Sequence, residues 1–134
     1  MIVSERVLIL KKTELFGKAS LDKLALLAEA LTERSLQDQE SAFHDSGRSG
    51  DLVILARGKV RGTEGGKSFS LGEGDCLGTL ALFDDSIPRP EAKAEGEALV
   101  FGLDGNMARE FLVEESPVAE NFIRSLVRKI RTVD

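Results

Sequence analysis

The sequence has no tryptophan and no tyrosine, and its 7 phenylalanines are the only aromatic residues. A hydrophobic core must therefore be assembled from Leu, Val, Ile, Ala and Phe. Cysteine is nearly absent as well. Cys76 stands alone, so no internal disulfide can form, which fits a reducing compartment. Histidine is represented only by His44, whereas a jelly-roll metal centre usually needs several imidazole ligands. A thiol nucleophile at Cys76 would need a base, and nothing in the sequence brings His44 to it. A small buried hydrophobe is the better reading of Cys76. Long apolar runs are missing too. Stretches such as Val7-Leu8-Ile9-Leu10 are too short to span a bilayer or to serve as a signal peptide's apolar segment. Neither G-x-S-x-G nor a P-loop occurs. Cations are outnumbered, 18 Lys and Arg against 23 Asp and Glu, for a formal charge of -5. That balance argues against nucleic acid as a partner, because phosphate binding favours a basic face. The expectation is a cytoplasmic protein, or the cytoplasmic end of a longer one, that is not an enzyme and carries no metal or cofactor.

What is present reads as a globular chain. Hydrophobic residues make up 42% and charged residues 31% of 134 positions, a balance that supports a packed core. The length predicts a single domain over residues 1–134. Helices are expected at both ends, about 2–32 and 106–133, with a strand-rich region about 33–104 between them. Near the start, Val3, Val7, Leu8 and Leu10 form a short amphipathic pattern. Ser20 can cap a second helix with Asp22 in its first turn, followed by Leu21, Leu24, Ala28 and Leu31 at helical spacing. From about residue 33, short apolar runs alternate with glycines, the pattern of a β-sandwich or barrel. Asp51 to Ala56 reads as a buried strand, and Ala98 to Leu103 as the last one. Lys59-Val60-Arg61 and Lys67 to Leu71 flank Gly65-Gly66 as a hairpin. After a turn at Asp104-Gly105, Asn106 to Val113 predicts a short helix. Ser116 is the expected cap of a longer one, with Pro117 at its first position. In that last helix Ala119, Ile123, Leu126, Ile130 and Val133 step by 4, 3, 4, 3, widened by Phe122 and Val127. This is a heptad seam, suited to a partner helix or to this chain's own barrel.

The segment with most chemical content is Cys76-Leu77-Gly78-Thr79-Leu80-Ala81-Leu82-Phe83, followed by Pro88-Arg89-Pro90-Glu91. Gly78 permits close approach of a ligand to the backbone. Thr79 to Phe83 can form one helical turn whose free N–H groups face an anion. Arg89 can add a bidentate contact to a phosphate. The candidate binding residues are therefore Gly78, Thr79, Leu80, Ala81, Arg89 and Pro90.

The order of motifs over nearly the whole chain resembles the cyclic nucleotide-binding domain family, the sensor domain of catabolite-activator-type regulators, kinase regulatory subunits and gated channels. Leu15-Phe16 followed by Ser20 to Leu24 resembles that family's opening. Gly50-Asp51 before Leu52 to Leu55, then Gly58-Lys59-Val60, resembles its central strands. Leu71-Gly72-Glu73-Gly74-Asp75 resembles its L-G-x-G-D turn. Leu77 to Leu82 and then Pro88-Arg89 resembles the phosphate-binding cassette, F-G-E-[LIM]-A-L followed by P-R-[ST]-A. The resemblance implies a mainly β fold with flanking α-helices, an eight-stranded double-stranded β-helix or jelly roll. It implies cAMP or cGMP as ligand, and a last helix that rearranges on binding and often pairs with a partner.

Three departures fall on the ligand side of the cassette. Thr79 stands where the family has a Glu that accepts the ribose 2′-hydroxyl. The stretch from Leu82 to Arg89 is one residue longer. Pro90-Glu91 replaces a Ser/Thr-Ala pair, removing an N–H and adding an acid beside the anion. A hydrogen bond to a charged group contributes about 1.5–3 kcal/mol. Losing two such contacts takes a site of about micromolar affinity towards about millimolar. Two readings follow. One is a regulatory sensor module whose cyclic nucleotide binding is weak or lost. The other is a non-binding dimerisation or docking module of the same fold, within a larger regulatory or membrane-associated protein. With no helix-turn-helix after the last helix, direct nucleic acid binding by this chain is not expected.

Overall fold

A computed structural model of the chain describes residues 1–43, 51–64, 66–84, 86 and 90–133. His44, Gly50, Gly65, Pro88 and Arg89 lie outside the described residues. Helix α1 (Val3–Lys12) ends on two lysines, where the helix dipole favours cations. Thr13 closes it: the buried hydroxyl donates to Leu10 O at 2.6 Å and accepts from Phe16 N at 3.0 Å. Helix α2 (Leu21–Ala30) starts at the expected cap, with Ser20 Oγ accepting from Lys23 N at 3.4 Å. Leu24, Leu27 and Ala28 are buried. Leu21 departs from the expected apolar row, because the first helical position points to solvent and leaves its side chain exposed.

Seven strands follow among the described residues, in two antiparallel sheets. They are β1 (Thr32–Leu36), β2 (Leu52–Arg57), β3 (Val60–Glu64), β4 (Lys67–Leu71), β5 (Cys76–Leu77), β6 (Glu91–Ala94) and β7 (Ala98–Leu103). One sheet has the order β1-β7-β2-β5 and the other β4-β3-β6. A further bridge pairs Ser41 with Lys93, and Gln39, Glu40 and Ala42 add backbone bonds to Ala94 and Ala92, so this connection covers the free edge of β6. The β3–β4 hairpin forms around Gly66, whose φ of 80° is open to glycine at no steric cost.

The four-stranded sheet carries apolar side chains on both faces. Because side chains alternate along a strand, Leu52, Ile54 and Ala56 of β2 join the helices in one buried cluster. Val53 and Leu55 join a second cluster inside the roll. In β7, Phe101 and Leu103 face the helices while Ala98 and Val100 face inward. This is why both strands read as continuous apolar runs. Arg6 ties the helix layer together. Its guanidinium donates to Ala28 O and Leu31 O, both at 3.0 Å, at the end of α2, and sits 5.6 Å from the Phe101 ring centre.

Two helices follow the sheets. Helix α3 (Gly105–Glu114) is capped by Asp104, whose Oδ1 accepts from Asn106 N and Met107 N. Helix α4 runs Ser116–Val133. Ser116 lies inside α4 and is not its cap. Glu115 holds that place, since its carbonyl accepts the first bond of α4, from Ala119 N, while its N–H still bonds Phe111 O of α3. Pro117 remains in the first turn, where its missing N–H has no partner to lose. Among the described residues no helix is long and apolar enough to cross a membrane.

Candidate functional site

The cassette is positioned by the turn before it. Gly72 N donates to Asp75 Oδ2 at 2.9 Å, and Asp75 N returns to Gly72 O at 3.1 Å. Gly74, with a φ of 88°, donates to Leu55 O, and Leu55 N donates to Asp75 O. The turn is thereby stitched to β2, and β5 continues that pairing through Cys76 and Leu77. Gly78 then adopts a φ of 90°. A Cβ there would lie 3.0 Å from Asp51 O and 3.5 Å from the Phe43 ring. Both the backbone turn and the close approach require glycine.

A single 3₁₀ turn, Leu80–Leu82, comes next. Its bonds run from Leu82 N to Thr79 O at 3.2 Å and from Phe83 N to Leu80 O at 3.1 Å. Ala81 and Leu82 are buried, Thr79 is half-buried and Leu80 is exposed. The structure thus brings Gly78, Thr79, Leu80 and Ala81 together as one turn. Pro90 is half-buried just before β6. Arg89, the expected phosphate ligand, lies outside the described residues.

Two contacts anchor this turn to the helices, and neither is visible in the sequence motif. Arg109 of α3 donates from Nη1 to Leu82 O at 2.6 Å, and from Nη2 to Asn106 Oδ1. The Phe83 ring packs on Phe122 of α4, with centroids 5.4 Å apart. Their partners are 27 and 39 residues away in sequence, so no local pattern announces them.

The interior of the roll beside the turn is apolar. Leu36, Val53, Leu55, Val60, Leu77 and Val100 fill the roll interior with the small Ala92 and Ala94. The buried polar residues of the described chain, Thr13 and Ser125, belong to the helices rather than to the strands of the roll. Burial, followed by the charges of Asp75 and Glu14, pushes the Cys76 thiol up to about 12. That thiol packs against the helical cluster, on the face of the sheet opposite the roll interior. Asp84 lies just beyond the turn, its carboxyl held below the ordinary range by the Ser86 hydroxyl and N–H. A cleft of about 640 Å³ opens beside Glu33, Arg34, Phe43, Asp51 and Asp104, of which Asp51 and Phe43 also neighbour Gly78. Its polar side chains are engaged: Arg34 on Ser41 O and Ala42 O, Glu33 with Arg6, Asp51 with Gly105 N.

The candidate seam divides along α4. Val118 and Ser125 are buried and Phe122 packs on the helical cluster. Ala119 and Leu126 are half-buried, while Ile123 is 60% exposed. The face that meets the protein is thus offset by one residue from Ala119 and Ile123. The side chains of Ile130 and Val133 lie outside what the structure describes.

Comparison with solved structures turns on this arrangement of roll, cassette turn and flanking helices. The regulatory domain of Toxoplasma gondii protein kinase A, crystallised with cAMP, superposes with a TM-score of 0.74 at 16% identity, over 94% of this chain and 50% of that one. The chain has the cyclic nucleotide-binding domain fold. A regulatory subunit of a cAMP-independent protein kinase A from Trypanosoma brucei matches at a TM-score of 0.73 and 17% identity, over 92% of this chain and 45% of that one. The sensor domain of a transcriptional regulator from Pseudomonas aeruginosa matches at 0.76 and 17%, over 92% and 91%. The chain spans about half the length of the kinase regulatory structures it matches and nearly all of the bacterial sensor domain. No protein-family model matches the sequence, and no curated protein is similar to it.

Proposed function

We propose that the chain is a regulatory, non-enzymatic module of the cyclic nucleotide-binding type whose cassette holds cAMP and cGMP weakly or not at all. The observation that carries this reading is the lining of the site. Among the described residues, the roll interior beside Gly78 to Ala81 is apolar, with no buried acid to accept a ribose hydroxyl. Thr79, half-buried at the start of the turn, is short and uncharged. Backbone N–H groups at the start of the turn remain to attract an anion, and Arg89, expected from the sequence, lies outside the described residues.

The second reading is a dimerisation or docking module that kept the fold without the ligand. A kinase regulatory subunit described as cAMP-independent shares this fold, so regulation through it does not demand cAMP. Under either reading the chain works in the cytoplasm with a protein partner or a second copy of itself, makes no direct contact with nucleic acid, and uses no cofactor. Calorimetric titration with cAMP and cGMP tests the ligand side. The expected result is binding at about millimolar or none, and low-micromolar binding to either nucleotide overturns the degenerate-cassette reading. Thr79→Glu is the companion variant. It restores tighter binding if the cradle geometry is intact, and it changes nothing if the chain is a pure docking module.

A further inference from the structure

We propose that the groove between α2 and α3 receives α4 of a second copy of this chain, in a two-fold exchange. This does not rest on ligand binding by the cassette. The groove is about 310 Å³, floored by Leu27, Ala30 and Phe111 and walled by Leu26 and Met107. Leu26 is 65% exposed and Met107 42%, an apolar strip open to water. Along its rim stand Glu110 and Glu114, exposed and one helical turn apart on α3. Neither has an ion-pair partner among the described residues, whereas the neighbouring Glu115 has Lys23 at 3.9 Å. Two like charges four residues apart weaken a helix, so an acidic edge on an apolar groove is matched by a cationic, amphipathic occupant.

This chain carries such an element on its own surface. Ile123 and Val127 are 60% and 49% exposed, one turn apart on α4. Arg124 and Arg128 follow each of them directly, with side chains 58% and 66% exposed. Over its length α4 has four cations, Arg124, Arg128, Lys129 and Arg131, against the one acid Glu120. The present partners of the two arginines, Glu120 at 3.2 Å and Glu14 at 3.9 Å, are exposed pairs that exchange at little cost. Apolar strip meets apolar strip, and Glu110 and Glu114 meet Arg124 and Arg128. Two-fold symmetry makes the contact twice, which doubles the buried area.

A charge exchange tests the pairing by sedimentation. The wild-type chain is expected to sediment at about twice the monomer mass. Glu110→Lys/Glu114→Lys and Arg124→Glu/Arg128→Glu are each expected to dissociate, with affinity lowered by at least about tenfold. An equimolar mixture of the two variants is expected to dimerise again. In that heterodimer Lys faces Glu in one contact and Glu faces Arg in the other. A wild-type monomer, a mixture that stays monomeric, or reversal variants that still dimerise alone would each overturn the proposal. Circular dichroism checks that both variants keep their helices. Should either lose them, Glu110→Gln/Glu114→Gln and Ile123→Lys carry the same reading, each weakening association at unchanged helicity.

Discussion

At the scale of single residues, the cassette depends on Gly78 more than on any side chain. Its φ of 90° strains any side chain, and an added Cβ would crowd Asp51 O at 3.0 Å. Gly78→Ala is expected to lower stability by about 1–3 kcal/mol, read as a shift in the urea midpoint. An unchanged midpoint would show that the turn relaxes freely. That a glycine was needed here was legible, because it follows the Leu71 to Asp75 turn in the order of a known cassette. Cys76 reads as a small apolar residue; it is half-buried against the helical cluster, and its environment gives that reading a pH signature. Burial first, then Asp75 and Glu14, raises the thiol from 9.0 to about 12. A raised folded value means that its contribution to stability is fully present below about pH 9. It is lost as the pH climbs towards about 12, because the unfolded thiol ionises first. Native protein at pH 8.5 is therefore expected to resist iodoacetamide, and denatured protein to react. The slope of stability against pH above 9 should flatten in Cys76→Ala.

At the scale of elements, strands buried on both faces and capped helices were the easiest to read. β2 and β7 announce themselves as apolar runs between glycines, and Ser20 marks the start of α2. β1, with the sequence Thr-Glu-Arg-Ser-Leu, did not, because an edge strand with four of five side chains at least partly exposed carries almost no apolar signal. The start of α4 was shifted by one residue, since Glu115 serves two helices at once. What no element-level pattern could give is how the cassette turn is tied down. Arg109 caps the turn's last carbonyl from α3, and Phe83 leans on Phe122 from α4. A hydrogen bond to a charged group contributes about 1.5–3 kcal/mol, and the half-buried setting of Arg109 reduces this to about 1 kcal/mol. Arg109→Ala is therefore expected to lower global stability by about 1 kcal/mol. Amide exchange should accelerate at Leu82 and Phe83 more than in β2. Acceleration spread evenly over the chain would mean that Arg109 supports the fold at large rather than the turn.

At the scale of the whole molecule, the fold was legible because motifs with fixed physical tasks recur in one order: helix entry, double-faced strand, L-G-x-G-D turn, glycine-led cassette, last strand. The occupancy of the site was not, because it depends on what the tertiary fold brings around Gly78 to Ala81. The same order implies that the two clusters on either face of the four-stranded sheet fold together. Ile54 and Leu55 are neighbours in β2, 0% and 2% exposed, yet they belong to opposite clusters, one with the helices and one inside the roll. Truncating either should leave a cavity and cost about 2–5 kcal/mol. The strand backbone they share transmits that loss to both layers. If residues 1–134 form one cooperative domain, Ile54→Ala and Leu55→Ala each shift a single transition, seen alike by helical circular dichroism and by amide exchange at Val60 and Ala94 of the roll. The outcome against it is separation of the probes: Ile54→Ala releasing the helices while Val60 and Ala94 stay protected, or Leu55→Ala opening the roll beneath intact helices.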